Sequence, residues 1–152
     1  MASSVQPIPD GYHTVTPYLL VEDAAGLIPF LERAFGATVL DRYESPDGRL
    51  AHASLQIGDS RVMMGQAAAE WPAMPAMLHL YVEDADTVFR RAVEAGARSI
   101  REPEDQFYGD RSGGVADPAG NQWWISTHVE DVSNEEMARR HAEQSKKAGT
   151  GG

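Results

Sequence analysis

Histidine and arginine side chains are the groups in this sequence best suited to proton transfer or to anion recognition. His79 and His52 each lie in a short extended run, and histidine is the side chain that most readily changes its charge near neutral pH. We therefore expect His79 to be the best-placed general acid or base. Arg111, in the segment YGDRSGG, has a fork of donors that suits an anionic group, but an ion pair with Asp110 or Asp117 explains it equally well.

Aromatic side chains are the second group suited to recognition. Tyr108 and Trp124 are able to stack on a flat or cationic ligand, and so is Trp71, for which simple packing is the favoured explanation. Gly113 and Gly114 lack the strand-to-helix context of a phosphate loop and indicate strand flexibility only. No nucleophile elbow marks a Ser-His-Asp arrangement, and no His-x-His or His-Glu-x-x-His spacing predicts a metal site.

Length and composition restrict the classes of protein and partner. The 152 residues suit one domain, and the 23 acidic against 13 basic side chains give a formal net charge of −10. This charge repels phosphate backbones and anionic membrane surfaces, so we expect neither nucleic acid nor membrane as a partner. The sequence has no cysteine, which excludes disulfides, zinc–thiolate sites and thiol nucleophiles. With no predicted signal peptide or membrane span, we expect a cytoplasmic protein.

A repeated tetrapeptide organises the chain. Val-Glu-Asp-Ala occurs at residues 21–24 and 82–85, each time after an extended run and before a stretch with helical apolar spacing. Asp23 and Asp84 stand where a helix N-cap belongs, and Gly36 and Gly96 stand where each helix should end with a positive φ. Pro29 falls inside the first predicted helix, where it costs roughly 3 kcal/mol, so we expect a kink or a shorter helix there.

Three further extended segments follow each helix, at 38–44, 50–57 and 60–66 and at 98–107, 111–116 and 121–127. Each half is therefore a βαβββ module, too small to bury both faces of its own sheet, and we predict an α+β fold in which the paired modules form one cupped mixed sheet with helices outside. Residues 1–132 form one domain, with module one at 12–66, a linker at 67–76 and module two at 77–127. Residues 133–152 form a polar C-terminal helix, opened by a capping box at Ser133 and Glu136, and a frayed tail beginning at Ala148.

Strand alternation predicts which side chains share a face. One face is apolar and suits the helices, whereas the opposite face carries Tyr, Trp, Met, His, Gln and Ser side chains. Because a solvated outer face is usually charged, we interpret this face as the lining of a small-molecule cup. The opposite-face positions are Thr16, Tyr18, Leu20, His52, Ser54, Gln56, Met77, His79, Tyr81, Gln122, Trp124 and Ser126.

The paired modules, the two Val-Glu-Asp-Ala copies, ERAFGA and VEAGA at the helix ends, and YGDRSGGVADPAGNQWWI at 108–125 resemble the vicinal oxygen chelate superfamily of glyoxalases, bleomycin-resistance proteins and extradiol dioxygenases. The resemblance runs from about Tyr12 to Val132. Within the superfamily it is closest to the phosphonate-cluster and demethylubiquinone-methyltransferase-like branch. Such a resemblance implies the fold but no particular activity, because this fold hosts unrelated chemistries.

The resemblance also implies positions for a divalent metal, at the first and last strands of each module. In this sequence those positions fall on Thr16, near Met64, on Met77 and on Trp124, none of which is a usual ligand. We therefore expect no metal cofactor. The alternative is a displaced divalent metal held by His52, His79 and a carboxylate.

Two function classes follow from these observations. The first is a metal-independent protein that binds or sequesters an antibiotic or another planar organic compound. The second is a lyase, isomerase or dioxygenase that uses a displaced metal or a histidine acid–base group, with His79 as its catalytic residue. Relatives close their cups by pairing chains, so we also expect a homodimer. The predicted ligand-binding residues are Tyr18, His52, Met64, Gln66, Met77, His79, Tyr81, Tyr108, Arg111 and Trp124.

Overall fold

The computed structural model describes residues 5–150, and their side chains as far as residue 147. Within that range the chain forms two βαβββ modules followed by a third helix, which confirms the predicted α+β repeat. The elements in chain order are β1 (Tyr18–Val21), α1 (Ala24–Phe35), β2 (Thr38–Glu44), β3 (Leu50–Ile57), β4 (Ser60–Gln66), β5 (Met77–Tyr81), α2 (Ala85–Glu94), β6 (Arg98–Asp105), β7 (Asp110–Ala116), β8 (Gln122–His128) and α3 (Asn134–Thr150).

The two modules have the same strand order. The first sheet runs β1-β4-β3-β2 and the second runs β5-β8-β7-β6. In each sheet the first strand is parallel to the last and the other neighbours are antiparallel. The two Val-Glu-Asp-Ala copies are therefore equivalent strand–helix junctions.

The helix caps follow the sequence pattern. The Asp23 carboxylate accepts a hydrogen bond from the Gly26 N–H at 3.0 Å, and that of Asp84 accepts one from the Thr87 N–H at 3.2 Å. Gly36 ends α1 with φ of 68°, a conformation that favours glycine because a Cβ crowds the backbone there. Both predicted N-caps are confirmed.

Some predicted boundaries were wrong. Helix α1 runs through Pro29 to Phe35, so it is not shortened; Pro29 is exposed in its second turn, with Ile28 and Phe30 buried on either side. Strand β1 begins at Tyr18, so Thr16 precedes it. Helix α3 extends to Thr150, beyond the predicted start of the frayed tail, and Gly151 and Gly152 lie outside the described residues.

One hydrophobic core joins the modules. It contains the inner sides of α1 and α2 and of both sheets, and the rings of Phe35 and Trp123 lie 4.8 Å apart across the module boundary. Each module keeps its own four-stranded sheet, and β1 and β5 are not hydrogen-bonded to each other. The linker takes the place of such a pairing, because the Met74 N–H donates to the Leu20 carbonyl at 3.1 Å on the outer edge of β1.

Helix α3 is attached to the second module through a few polar contacts. The Arg140 guanidinium donates to Glu130 at 2.7 Å and to the Phe107 carbonyl at 3.1 Å. Its first turn is capped by the Ser133 hydroxyl, which accepts from the Glu136 N–H. Within the described residues, no helix is long and apolar enough to cross a membrane.

Candidate functional site

A cavity of about 910 Å³ lies between the two modules, where β1 and the β3–β4 turn approach β5 and α2. Its apolar wall is formed by Leu78 and Leu80 of β5 and by Val82, which follows that strand; the core covers these three residues only in part. Phe35 and Val88 continue that wall from the two helices. The volume and apolar lining suit a small organic ligand.

Four of the predicted ligand-binding residues line this cavity: Tyr18, Met77, His79 and Tyr81. Each is exposed, and the rings of His79 and Tyr81 lie 5.0 Å apart. The charged groups in the lining are Asp59, on the β3–β4 turn, and Arg91, on α2. The cavity therefore combines apolar walls with a few polar and aromatic groups.

Trp123 closes the inner end of the cavity and is completely buried. Its indole Nε1 donates to the Asp117 carboxylate at 2.8 Å, and the same carboxylate accepts from the side-chain amide of Asn121 and the backbone N–H groups of Ala119 and Asn121. The Asp-Pro-Ala-Gly turn at 117–120 thus fixes an aromatic wall of the site.

The buried carboxylate of Asp110 is hydrogen-bonded to Tyr81. Oδ2 of Asp110 accepts from the Tyr81 hydroxyl at 2.8 Å, and Oδ1 lies 2.8 Å from Nδ1 of His128, whose Nε2 lies 2.8 Å from Asp131. The hydrogen bond to Asp110, with desolvation, raises the pKa of Tyr81. The hydrogen bonds to Asp110 and then to Asp131 raise the pKa of His128, so its protonated form is favoured.

The sequence prediction missed Asp110 and His128 as site residues. Asp110 was placed in a turn, and the strand that carries His128 was ended one residue too early. In the structure the two are cross-strand partners at the end of the β7–β8 ladder. Aligning β7 with β8 in this register would have identified them, because it pairs an aspartate with a histidine.

His52 lies on the open face of the first sheet and does not itself line the cavity, although it contacts Tyr18, which does. Nε2 of His52 lies 3.0 Å from the Ser54 hydroxyl and 3.9 Å from the Asp41 carboxylate, and its Nδ1 lies 3.4 Å from the Tyr18 hydroxyl. The ring of Tyr43 stacks on it at 5.7 Å. Burial raises the pKa of Tyr18, with a smaller contribution from Tyr43.

Trp124 lies on the open face of the second sheet and does not itself line the cavity, although its register partner on β5 is His79. Its ring covers Gly114 so closely that a Cβ on that glycine would lie 2.7 Å from it. The Arg101 guanidinium lies over the ring, 4.9 Å from its centroid. Packing therefore accounts for the position of Trp124, the alternative that the sequence left open.

Met64 and Arg111, which the sequence analysis predicted to bind a ligand, do not line the cavity. Met64 is completely buried in the core because its position on β4 faces α1, and its neighbour Met63 has the opposite, partly exposed orientation. Arg111 faces α2, where it pairs with Asp86 at 2.9 Å and with Asp105 at 3.2 Å. Neither the predicted anion anchor nor the predicted partners of Arg111 are present.

The remaining predicted residues lie away from the cavity. Gln66 ends β4 with its side-chain amide beside the Arg49 guanidinium. Tyr108 packs edge-on against Phe107, their ring centroids 5.2 Å apart, and Trp71 is 66% exposed in the linker.

The residues at the implied metal positions do not fit a divalent ion. Thr16 donates its hydroxyl to the His13 carbonyl, and Met77 and Trp124 offer no usual metal-binding atom. Across residues 5–147, whose side chains are described, no three His, Cys, Asp or Glu side chains are grouped as a metal site would need. His52 and His79 are therefore not part of such a group.

Comparisons with known proteins agree with the fold. The profile of the glyoxalase/bleomycin resistance protein/dioxygenase superfamily matches residues 12–125. An uncharacterized protein of Mycobacterium bovis is 37% identical over 148 residues, which cover 90% of this chain and 93% of that protein. The crystal structure of TioX from Micromonospora sp. ML1 is 25% identical, with a TM-score of 0.66, and the match covers 77% of this chain and 99% of TioX.

A second solved structure gives the same architecture at lower identity. It is a glyoxalase/bleomycin resistance protein/dioxygenase family enzyme from Burkholderia phytofirmans PsJN, 18% identical with a TM-score of 0.62, and the match covers 75% of this chain and 97% of that one. At this identity the likeness supports the fold alone.

Proposed function

Because the chain belongs to the glyoxalase/bleomycin resistance protein/dioxygenase superfamily, we propose that it is a metal-independent protein that binds a planar organic compound, such as an antibiotic or another natural product. Within the superfamily we place it nearest the phosphonate-cluster and demethylubiquinone-methyltransferase-like branch, on the motifs at 21–24, 82–85 and 108–125. Composition alone favours the cytoplasm as its place of action.

The observation that carries this proposal is the cavity between the modules. Its apolar wall from β5 and its aromatic rim of Tyr18, His79 and Tyr81 match the features of small-molecule sites, which combine apolar surface with a few polar groups. A flat ligand gains free energy from burial against Leu78 and Leu80 and from contact with the exposed rings.

The enzymatic alternative depends on His79. This side chain lies on the rim beside Tyr81, where an imidazole could exchange a proton with a bound compound. The described side chains offer it no carboxylate within ion-pair distance, so nothing orients the ring as a general base usually is. Binding without chemistry is therefore the function that we favour.

We propose that the protein works as a homodimer whose interface lies beside the cavity. The backbone groups of residues 76 and 82 form hydrogen bonds with β8. Because these groups alternate in direction along a strand, those of Met77, His79 and Tyr81 point to the outer edge of β5. No backbone hydrogen bond reaches that edge within residues 5–150, whereas the linker covers part of the β1 edge. An uncovered edge strand favours pairing with another chain.

A cavity-filling substitution tests the proposed function. Val88→Trp places a large ring against the apolar wall, and we expect it to weaken the binding of 2-naphthol at least tenfold in an isothermal titration. Val93→Trp is the matched control, because Val93 lies on the same helix but is 39% exposed and does not line the cavity. Equal affinities for the two variants would contradict binding in the cavity.

A further inference from the structure

The hydroxyl of Tyr81 already donates its hydrogen bond within the protein. It lies 2.8 Å from Oδ2 of Asp110, a carboxylate whose side chain is only 3% exposed. The other oxygen of that carboxylate faces Nδ1 of His128 at 2.8 Å. A phenol has a single hydrogen to donate, so the direction of this hydrogen bond determines what the phenol offers to a ligand.

Asp110 accepts hydrogen bonds and has none to give. A carboxylate has only acceptor lone pairs, and the Tyr81 hydroxyl donates to its Oδ2. His128 lies on the other side of this carboxylate, and the hydrogen bonds to Asp110 and Asp131 at its two ring nitrogens raise its pKa. The hydrogen between Tyr81 and Asp110 therefore belongs to Tyr81 and points toward Asp110, which does not line the cavity.

The phenolic oxygen therefore presents only its lone pairs to a bound molecule. Tyr81 lines the cavity and is 66% exposed. We infer that Tyr81 determines ligand specificity by accepting a hydrogen bond from an O–H or N–H group of the compound in the cavity. The inference rests on the proposed function and adds the chemical class of the ligand, a planar compound that carries a hydrogen-bond donor.

The other charges at the cavity agree with a donor-bearing ligand. The Asp59 carboxylate in the lining is a second acceptor, and the formal net charge of −10 disfavours anionic compounds. Arg91, the cation in the lining, directs a guanidinium nitrogen to the Arg33 carbonyl at 3.2 Å.

A matched pair of probes isolates the single hydrogen. 2-Naphthol and 2-methoxynaphthalene share the ring system and the oxygen, but only the naphthol has a donor. The quantity to measure is the ratio of their dissociation constants, in the wild type and in Tyr81→Phe, because the effect of the additional methyl group cancels when the two ratios are divided. Tyr43→Phe is the control, since Tyr43 is an exposed phenol on β2 that does not line the cavity.

One hydrogen bond of ordinary strength corresponds to a preference of about 2- to 10-fold. In the wild type and in Tyr43→Phe, we expect the preference for 2-naphthol over 2-methoxynaphthalene to be larger than in Tyr81→Phe by this factor. Asp110→Asn should also reduce the preference, because an amide is able to donate to the phenol oxygen and free its hydrogen. Circular dichroism of this variant is the control for folding.

The outcomes separate the two proposals. If both probes bind and the ratio is the same in the wild type and in Tyr81→Phe, the specificity inference is overturned while the proposed function stands. If neither probe shows saturable binding to the wild type, the proposed function is overturned and the inference with it. A preference that is reduced by Tyr81→Phe and kept by Tyr43→Phe supports both.

Discussion

The indole Nε1 of Trp123 donates a 2.8 Å hydrogen bond to Oδ2 of Asp117, and this contact links the Asp-Pro-Ala-Gly turn to the wall of the cavity. Both residues are buried, and the other carboxylate oxygen accepts from the backbone N–H groups of Ala119 and Asn121. A turn that the sequence marks only as chain reversal therefore sets the orientation of a large aromatic side chain in the site.

Asp117→Asn should destabilise the protein. The amide turns one buried acceptor into a donor that faces other donors, so we expect the free energy of unfolding to fall by about 1–3 kcal/mol. Urea unfolding followed by far-UV circular dichroism measures this change. Asp59→Asn is the control, because Asp59 is exposed and, among the side chains of residues 5–147, accepts a hydrogen bond only from the neighbouring Ser60 hydroxyl. A loss as large in that variant would contradict the explanation.

The Asp110–His128 pair should make stability depend on pH. The pKa of His128 is raised in the folded state, so its contribution is fully present below the unfolded value and is lost as the pH rises through the folded value. We expect the difference in unfolding free energy between the wild type and His128→Gln to be largest in mild acid and to shrink toward alkaline pH.

An NMR titration of the His128 imidazole separates its two carboxylate partners. The hydrogen bond to Asp110 is the largest cause of the raised pKa, ahead of the hydrogen bond to Asp131, so we expect Asp110→Asn to lower the pKa of His128 further than Asp131→Asn does. The reverse order would show that the exposed Asp131, rather than the buried Asp110, holds the imidazolium.

Gly114 should tolerate no side chain while Trp124 is present. A Cβ at Gly114 would lie 2.7 Å from the indole ring, so Gly114→Ala should cost about 1–3 kcal/mol of unfolding free energy through overpacking. In a Trp124→Ala background the same change should cost much less, because the obstructing ring is gone. If urea unfolding gives the same loss of unfolding free energy in both backgrounds, the ring of Trp124 is not what excludes a side chain at Gly114.

The proposed homodimer should depend on the edge of β5. Met77 is 68% exposed at the start of this strand, and Met77→Lys puts a charge where we expect the partner chain. Sedimentation velocity should show a dimer for the wild type and dissociation for this variant. Leu40→Lys, on the outer strand β2, should remain dimeric; a wild type that is monomeric at micromolar concentration would refute the proposal.

Protein purified without a chelator or a histidine tag should hold no stoichiometric divalent metal. Thr16, Met77 and Trp124 stand at the implied ligand positions and lack suitable atoms. Elemental analysis measures the metal content per chain. One tightly bound Ni, Zn, Fe or Mn ion per chain would overturn this expectation and revive the displaced-metal alternative.

Much of the fold was predictable because it depends on local sequence patterns. The repeated Val-Glu-Asp-Ala, the N-caps Asp23 and Asp84 and the glycine at the end of α1 act within one or two turns of chain, and all are confirmed. The relation between the sheets was not predictable in this way, because it depends on the linker, where Met74 bonds to the outer edge of β1.

The site was predictable only in part, since strand register decides which side chains meet. Tyr18, Met77, His79 and Tyr81 lie on regular strands, and these four predicted residues line the cavity. Met64 was misplaced when a family position was assigned by counting from the repeat, and one residue of error reverses the face of a strand.

The most direct test of ligand binding in this cavity is an NMR titration of the indole N–H signals with 2-naphthol. Trp123 lines the cavity, Trp124 lies on the open face under Arg101, and Trp71 is in the linker, so the three indoles report on different places. We predict that the Trp123 signal shifts saturably, together with the ring signals of His79 and Tyr81, while that of Trp124 changes little. Saturable shifts confined to Trp124 or to the His52 and Tyr43 rings would contradict binding between the modules.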